Sequence, residues 1–187
     1  MAALLRPGGR EVGRVRIPFY MPGVRSPILP LLLILVLPTL PAQAACSDAA
    51  APGVNWRRCL QDGQDLSGAD LSGANLRDAG FTRAKLRQAR LKGADAPDSR
   101  FTSADLSGAD LSGAVLRGAD FTRTKLIGAK LVRADLRSAR FFRADLTEAD
   151  LTGANISGTD LSTATLDGAR WVDGEKLCAA GSVGTCQ

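Results

Sequence analysis

The sequence predicts an all-β fold, a four-sided parallel β-helix or solenoid. Three observations predict it. An apolar residue recurs at every fifth position from Leu66 to Trp171 without a slip. Phenylalanine stands at 81, 101, 121 and 141, a second period of twenty inside the first. The charges just before the fifth-position residues change sign on that same period. Five is neither the 3.6 of a helix nor the 2 of a strand, so the repeat is architecture before it is chemistry.

The 187 residues are the length of one domain, and they divide into four segments. Residues 1–44 read as a secretory signal peptide. Arg6, Arg10, Arg14, Arg16 and Arg25 precede an apolar run from Ile28 to Leu40, and Ala42-Gln43-Ala44 supplies an A-x-A cleavage site. The run contains Pro30 and Pro38 and is short for a membrane span, although an uncleaved membrane anchor is the rival reading. Met21 would start a signal of ordinary length and is a second candidate for the first residue. This leader carries +4 of the formal net charge of +5, so the rest of the chain is nearly neutral.

Residues 45–61 form an expected N-terminal cap containing Cys46, Trp56 and Cys59. Residues 62–173 carry the repeat, and 174–187 form a C-terminal cap with Leu177, Cys178 and Cys186. The four cysteines flank the repeat and none lies inside it. In an exported chain such an even set reads as disulfides, with 46–59 and 178–186 the most local of three possible pairings. Zinc is the weaker reading, because the pairs sit at opposite ends and the chain has no histidine. Cys46 has a further reading as a lipid-attachment site, but Gln43-Ala44-Ala45 lacks the large aliphatic residue such signals carry.

Within each repeat the apolar residue is the centre. A small residue stands two positions before it, as at Ala69, Ala74, Ala79 and Ala84, relaxed to Gln64, Ser99, Thr124 and Thr159. A polar residue, most often Asp, lies between the two. Inward, outward, inward is the alternation of a short strand. The two residues after the centre are small or polar, and ten of 22 pentads place Gly second, where a corner must turn. Each pentad is one side and one bend.

The charges count the sides. Stacked coils lie about 4.8 Å apart, so like charges one coil apart repel. Residues just before the centre, compared with their partners 20 residues on, form twelve charged pairs, all of opposite sign. An offset of 15 gives four opposite and seven like, and an offset of 25 gives five and six. Four sides per coil follow, with the phenylalanines in one internal column. The 22 pentads then make about five and a half coils, with open edges at both ends that need caps.

The runs Ala69-Asp70-Leu71-Ser72-Gly73 and Ala74-Asn75-Leu76 resemble the A-(D/N)-L-x-x signature of the pentapeptide-repeat family. The resemblance spans about residues 62–173. It implies a right-handed quadrilateral β-helix, in agreement with the count of sides. The best-known members protect DNA gyrase by mimicking DNA, but membership does not determine function.

Chemistry finds little footing. Without histidine there is no Ser-His or Cys-His pair and no imidazole base. The Asp rows interpose Lys or Arg, the pattern of a surface ladder rather than of an acid and base pair. No glycine loop for phosphate is present, and no cofactor is expected. DNA mimicry needs a strongly negative surface, which a near-neutral repeat behind a signal peptide does not offer, so no nucleic-acid partner is expected. One face, centred on the Phe column, carries Arg83, Arg100, Arg123, Arg140 and Arg143 against Asp120 and Asp160, a local +3. The other faces score −2, +1 and −1. The arginines are the candidate binding residues, for an anionic envelope polymer or a protein. Contact with a membrane would need the uncleaved leader or a lipid on Cys46.

Ala96-Pro97-Asp98 breaks the pattern, with Ala at a centre and Pro after it. The break reads as a local adjustment, or else as a binding notch. The expected role is a non-enzymatic, periplasmic or secreted scaffold or interaction rod. The alternatives are a cell-envelope carbohydrate-active enzyme using Asp and a DNA-mimicking inhibitor.

Overall fold

Each pentad between Gly53 and Trp171 repeats one local structure in the computed structural model, which describes residues 46–187. The signal peptide, its cleavage site and Met21 lie outside the described residues. The pentad at 104–108 shows how the backbone donors are satisfied. The Ala104 amide closes a turn onto Phe101 O at 2.9 Å, and the Asp105 amide reaches back one coil to Ala84 O at 3.0 Å. Leu106 and Gly108 donate forward one coil, to Lys125 O and Ile127 O, both at 2.8 Å. The remaining amide, Ser107, donates to Asp105 Oδ1 at 3.1 Å. All five donors of this pentad are paired within the fold.

The fifth bond gives the Asp before each centre a corner role. Its carboxylate accepts the amide two residues on, the Asx turn that locks the bend. The same bond recurs at Asp70, Asp110, Asp120, Asp150 and Asp160. The second corner residue has positive φ in every pentad from 53 to 168, as the third position of a type II turn requires. Glycine meets that demand at Gly108 with φ 68°, whereas Arg83 sits at φ 58° and carries the strain of a left-handed side chain.

Parallel bridges join each residue before a centre to the one 20 further on, from Asn55↔Asn75 through Asp150↔Arg170. Four sides per coil are therefore observed. The frame also begins two pentads before residue 62, with Trp56 and Gln61 as centres and Val54 and Cys59 at the small positions.

The core is a stack of layers. Phe81, Phe101, Phe121 and Phe141 form a column with ring centroids 5.1, 4.9 and 4.7 Å apart and planes within 9° of parallel. Trp56 leans on its N-terminal end at 6.5 Å. Where a hydroxyl replaces the small alanine, it bonds to a carbonyl: Ser99 to Ala96 O, Thr124 to Phe101 O and Thr159 to Leu136 O. Burial of these polar groups is thereby offset.

Disulfides join Cys46 to Cys59 and Cys178 to Cys186. At the N-terminal end, Gln61 points inward and donates to Cys46 O at 3.1 Å, while Trp56 Nε1 donates to Asp48 O at 3.2 Å. At the C-terminal end the chain reverses and lays an antiparallel strip on the last coil, with bridges Thr165↔Val183 and Arg170↔Leu177. Cys178 and Ser182 are buried by this strip, but Leu177 is 57% exposed and plugs nothing.

Candidate functional site

The five candidate arginines share one face because their pentads share one side. Arg100 and Arg140 stand in the row before the phenylalanines, and Arg83, Arg123 and Arg143 in the left-handed corner row beyond them. Arg140 pairs with Asp120 at 2.9 Å, one coil below. Arg143 lies over the Phe142 ring at 5.1 Å, a cation–π contact that explains how a half-buried aromatic is accommodated in an outward row. Arg83, Arg100 and Arg123 have no carboxylate within 4.0 Å among the described residues and are exposed.

The earlier start of the coil changes the charge of the faces. Asp62 joins the arginine face and reduces it to +2, while Arg57 and Arg58 raise the face centred on Leu76 to +1. Asp62 is there for a structural reason. Gly80 stands where the corner Asp belongs, so the Thr82 amide has no carboxylate on its own side. Asp62, one coil below, accepts it at 2.7 Å instead. A side chain at Gly80 would meet Leu60 Cδ2 at 2.9 Å and Asp62 Oδ1 at 3.0 Å, so the tips of these two side chains would have to shift to admit it. A shallow groove of about 310 Å³ beside it is lined by Asp62, Gly63, Thr82 and Arg83.

The charged ladder is in register, but it works differently from a chain of ion pairs. All twelve pairs occupy bridged positions, yet direct contacts form in three: Lys85–Asp65 at 3.3 Å, Arg90–Asp70 at 3.5 Å and Arg140–Asp120. Other arginines reach diagonally, as Arg77 does to Asp95 at 2.6 Å. The carboxylates are committed first to their corners. At Asp70 the hydroxyl and amide of Ser72 hold the carboxyl below its ordinary 3.8, and Arg90 adds to them. At Asp105 partial burial pushes upward, but the bonds from Ser107 and the charges of Arg87 and Lys125 outweigh it. The corner role was legible in part, since Ser or Thr stands two residues after many of these aspartates. The rescue of Thr82 by Asp62 was not.

A pH dependence follows. A carboxyl held low in the fold binds fewer protons folded than unfolded, so its stabilisation is complete above the ordinary aspartate value near 3.9 and fades as the pH falls through the depressed folded values. The melting temperature is expected to stay level from neutrality to about pH 5 and to fall steadily below about pH 4. A melting temperature unchanged down to about pH 2 would sink this account.

The irregular pentad does not open the core. Ala96 is fully buried, and Ser99 bonds to its carbonyl at 2.7 Å. Outside it lies a groove of about 550 Å³ lined by Arg77, Pro97, Asp98, Arg117, Gly118, Arg137 and Ser138. Proline has no amide to give the corner Asp, and Asp95 Oδ1 is accordingly buried without a partner. The groove is near neutral, because Asp95 engages Arg77 and Asp135 engages both Arg117 and Arg137. Among the described residues, no His, Cys, Asp or Glu side chains gather in a metal-holding group of three.

Pentapeptide repeats match the chain in eight copies, over residues 62–93, 99–137 and 129–168. No curated protein matches it. Among solved structures, the chain is similar to HetL of Nostoc sp. strain PCC 7120, a pentapeptide repeat protein involved in heterocyst differentiation regulation. The two are 28% identical over 66% of this chain and 68% of HetL, with a TM-score of 0.42. A second pentapeptide repeat protein from Nostoc is 34% identical over 46% of this chain and 69% of its own, with a TM-score of 0.44. One from the Arabidopsis thaliana thylakoid lumen is 33% identical over 67% and 85%, with a TM-score of 0.33.

Proposed function

This chain belongs to the pentapeptide-repeat family, whose members fold as right-handed quadrilateral β-helices, and on that premise we propose that it is an exported, non-enzymatic interaction protein. It acts as a rigid rod that binds an anionic envelope polymer or a protein through the face bearing Arg83, Arg100, Arg123, Arg140 and Arg143. The observation that carries this reading is the state of those side chains. Four of the five have no acidic partner among the described residues, and three of those, Arg83, Arg100 and Arg123, do not stack on an aromatic ring as Arg143 does, although the rest of the surface is laced with carboxylates. A guanidinium with free donors is suited to forked contacts with carboxylate or phosphate.

The periplasmic or secreted location is supported by the leader pattern and by the two disulfides, which persist in oxidising compartments. A fusion reporter that is active only in the cytoplasm would overturn it. For the binding face, all five arginines are changed to Gln and retention on an anionic matrix is compared with the parent chain. Retention is expected to drop, and its salt dependence to flatten by about one counterion per contacting arginine removed. Unchanged retention with the salt dependence intact removes the arginine face from the proposal.

A further inference from the structure

The corner residues that follow Trp56, Leu76, Leu116 and Leu136 form a column of arginines, Arg57, Arg77, Arg117 and Arg137. Pro97 interrupts it. The backbone ladder runs through the break unchanged, since the Asp78 amide donates to Pro97 O at 3.0 Å and the Asp98 amide to Arg117 O at 2.8 Å. What the proline removes is the turn bond to Asp95, whose Oδ1 is left buried without a partner. A serine would supply that bond, as Ser107 does for Asp105. The proline thus works against the corner it occupies, and what it gains lies on the surface. Arg77 and Arg117 stand two coils apart, roughly 9.6 Å at sheet spacing, with a half-buried apolar ring between them.

The groups around the ring are fixed in direction. Arg77 is anchored through Nε on Asp95 Oδ2 at 2.6 Å. On the coil of Arg117, Val115 stands in the carboxylate row, so the Arg117 Nε reaches on to Asp135 Oδ2 at 3.5 Å. Both guanidiniums keep their terminal amino groups without an acceptor among the described residues. Asp98 makes no ion pair among the described residues, and its carboxylate leans over the bare corner of Gly118, one coil on. Ser138 adds a hydroxyl one coil further along the same groove. Arg77, Arg117 and Arg137 are balanced by Asp95, Asp98 and Asp135, so the whole carries no net charge.

Anchored donor forks, an unpaired carboxylate and an apolar floor suit a neutral, polyhydroxylated ligand, and we propose that this groove binds a neutral β-1,4-linked glycan. The C–H face of one sugar rests on Pro97. Its hydroxyls and those of its neighbours accept from the Arg77 and Arg117 forks and donate to Asp98. The groove follows the rod from the coil of Arg77 to that of Ser138, four stacked coils. An extended β-1,4-linked chain advances by nearly one coil height per sugar, so successive sugars meet successive coils in register. An anionic polymer is served less well, because the three arginines are already balanced and Asp98 repels it. This inference does not depend on the arginine face.

The test is calorimetric titration of the full chain, disulfides intact, with cellotetraose, N-acetylated chitotetraose and maltotetraose. Saturable binding of at least one of the first two is expected, with a Kd below about 1 mM and little change between low and high salt. Maltotetraose, whose α-1,4 links curl the chain out of register, should bind at least about tenfold more weakly. Pro97→Ser removes the floor while restoring the Asp95 turn bond, so binding should weaken at least about fivefold with no fall in melting temperature. Arg117→Gln changes an exposed side chain and should weaken binding to a similar degree. The variant with all five face arginines changed to Gln should bind the sugars as the parent does. No saturation by either β-1,4 tetramer up to about 5 mM overturns the proposal. So does equal binding of maltotetraose, parental affinity in Pro97→Ser or Arg117→Gln, or loss of binding in the five-arginine variant.

Discussion

Replacing Phe121 with alanine is expected to cost about 3–5 kcal/mol of unfolding free energy. The ring is fully buried and stacks on both neighbours, Phe101 at 4.9 Å and Phe141 at 4.7 Å. Each neighbour is held by a coil whose position is set by backbone bonds above and below. The space left cannot collapse without breaking that ladder, so the full cavity penalty remains. Phe141→Ala should cost less, because it removes one stacked ring and faces the partly exposed Leu161 on its other side. Phe121→Leu, which keeps most of the volume, is expected near 1 kcal/mol. Urea unfolding with the disulfides intact measures all three. A loss at Phe121→Ala smaller than at Phe141→Ala would contradict the column as a continuous stack.

Removing five residues should destabilise the rod more than removing twenty. Deletion of residues 101–120 leaves every side on the side it stacked on before, and Phe121 comes to rest on Phe81. Its penalty is electrostatic. Lys85 meets Lys125, Arg90 meets Lys130, Asp95 meets Asp135 and Arg100 meets Arg140. At the exposed Lys and Arg positions each costs roughly 0–1 kcal/mol and is reduced by salt, while the half-buried Asp95–Asp135 pair is screened less. Deletion of residues 101–105 instead turns everything after it by one side. Phe81 then lies under Leu106, Phe121 lies over Ala96, and the column is broken in the core, where salt gives no relief. The shorter deletion is expected to lose on the order of 3 kcal/mol more than the longer one. Added salt should rescue only the longer one. Equal stability of the two would mean that the sides are interchangeable and the rows carry no information.

The residues differ in how much they disclosed. The row of phenylalanines and the alternating charges were legible because each depends on a spacing, and spacing survives without coordinates. The length of the coil was not fully legible. Trp56 and Gln61 do not look like repeat centres, and they serve because one fits under Phe81 and the other finds the Cys46 carbonyl. The ladder was misread in kind. Opposite charges one coil apart looked like ion pairs, whereas most of the carboxylates turn first to a backbone amide two residues on, a nearer and fixed donor. At the candidate face, the sequence located the five arginines on one side but could not separate those that are paired or stacked from the three that are free.

The sequence alone determined the period, the number of sides and the inward or outward direction of nearly every residue, because those follow from a repeat whose every copy makes the same bonds. Only the tertiary structure decided what happens where the repetition stops. The Asp62 bond to Thr82, the orphaned Asp95 oxygen behind Pro97 and the antiparallel strip at the C-terminal end each arise from a contact outside the regular repeat or from a donor that is missing. A periodic pattern cannot encode them, since each depends on which groups remain unsatisfied after the regular bonds have formed.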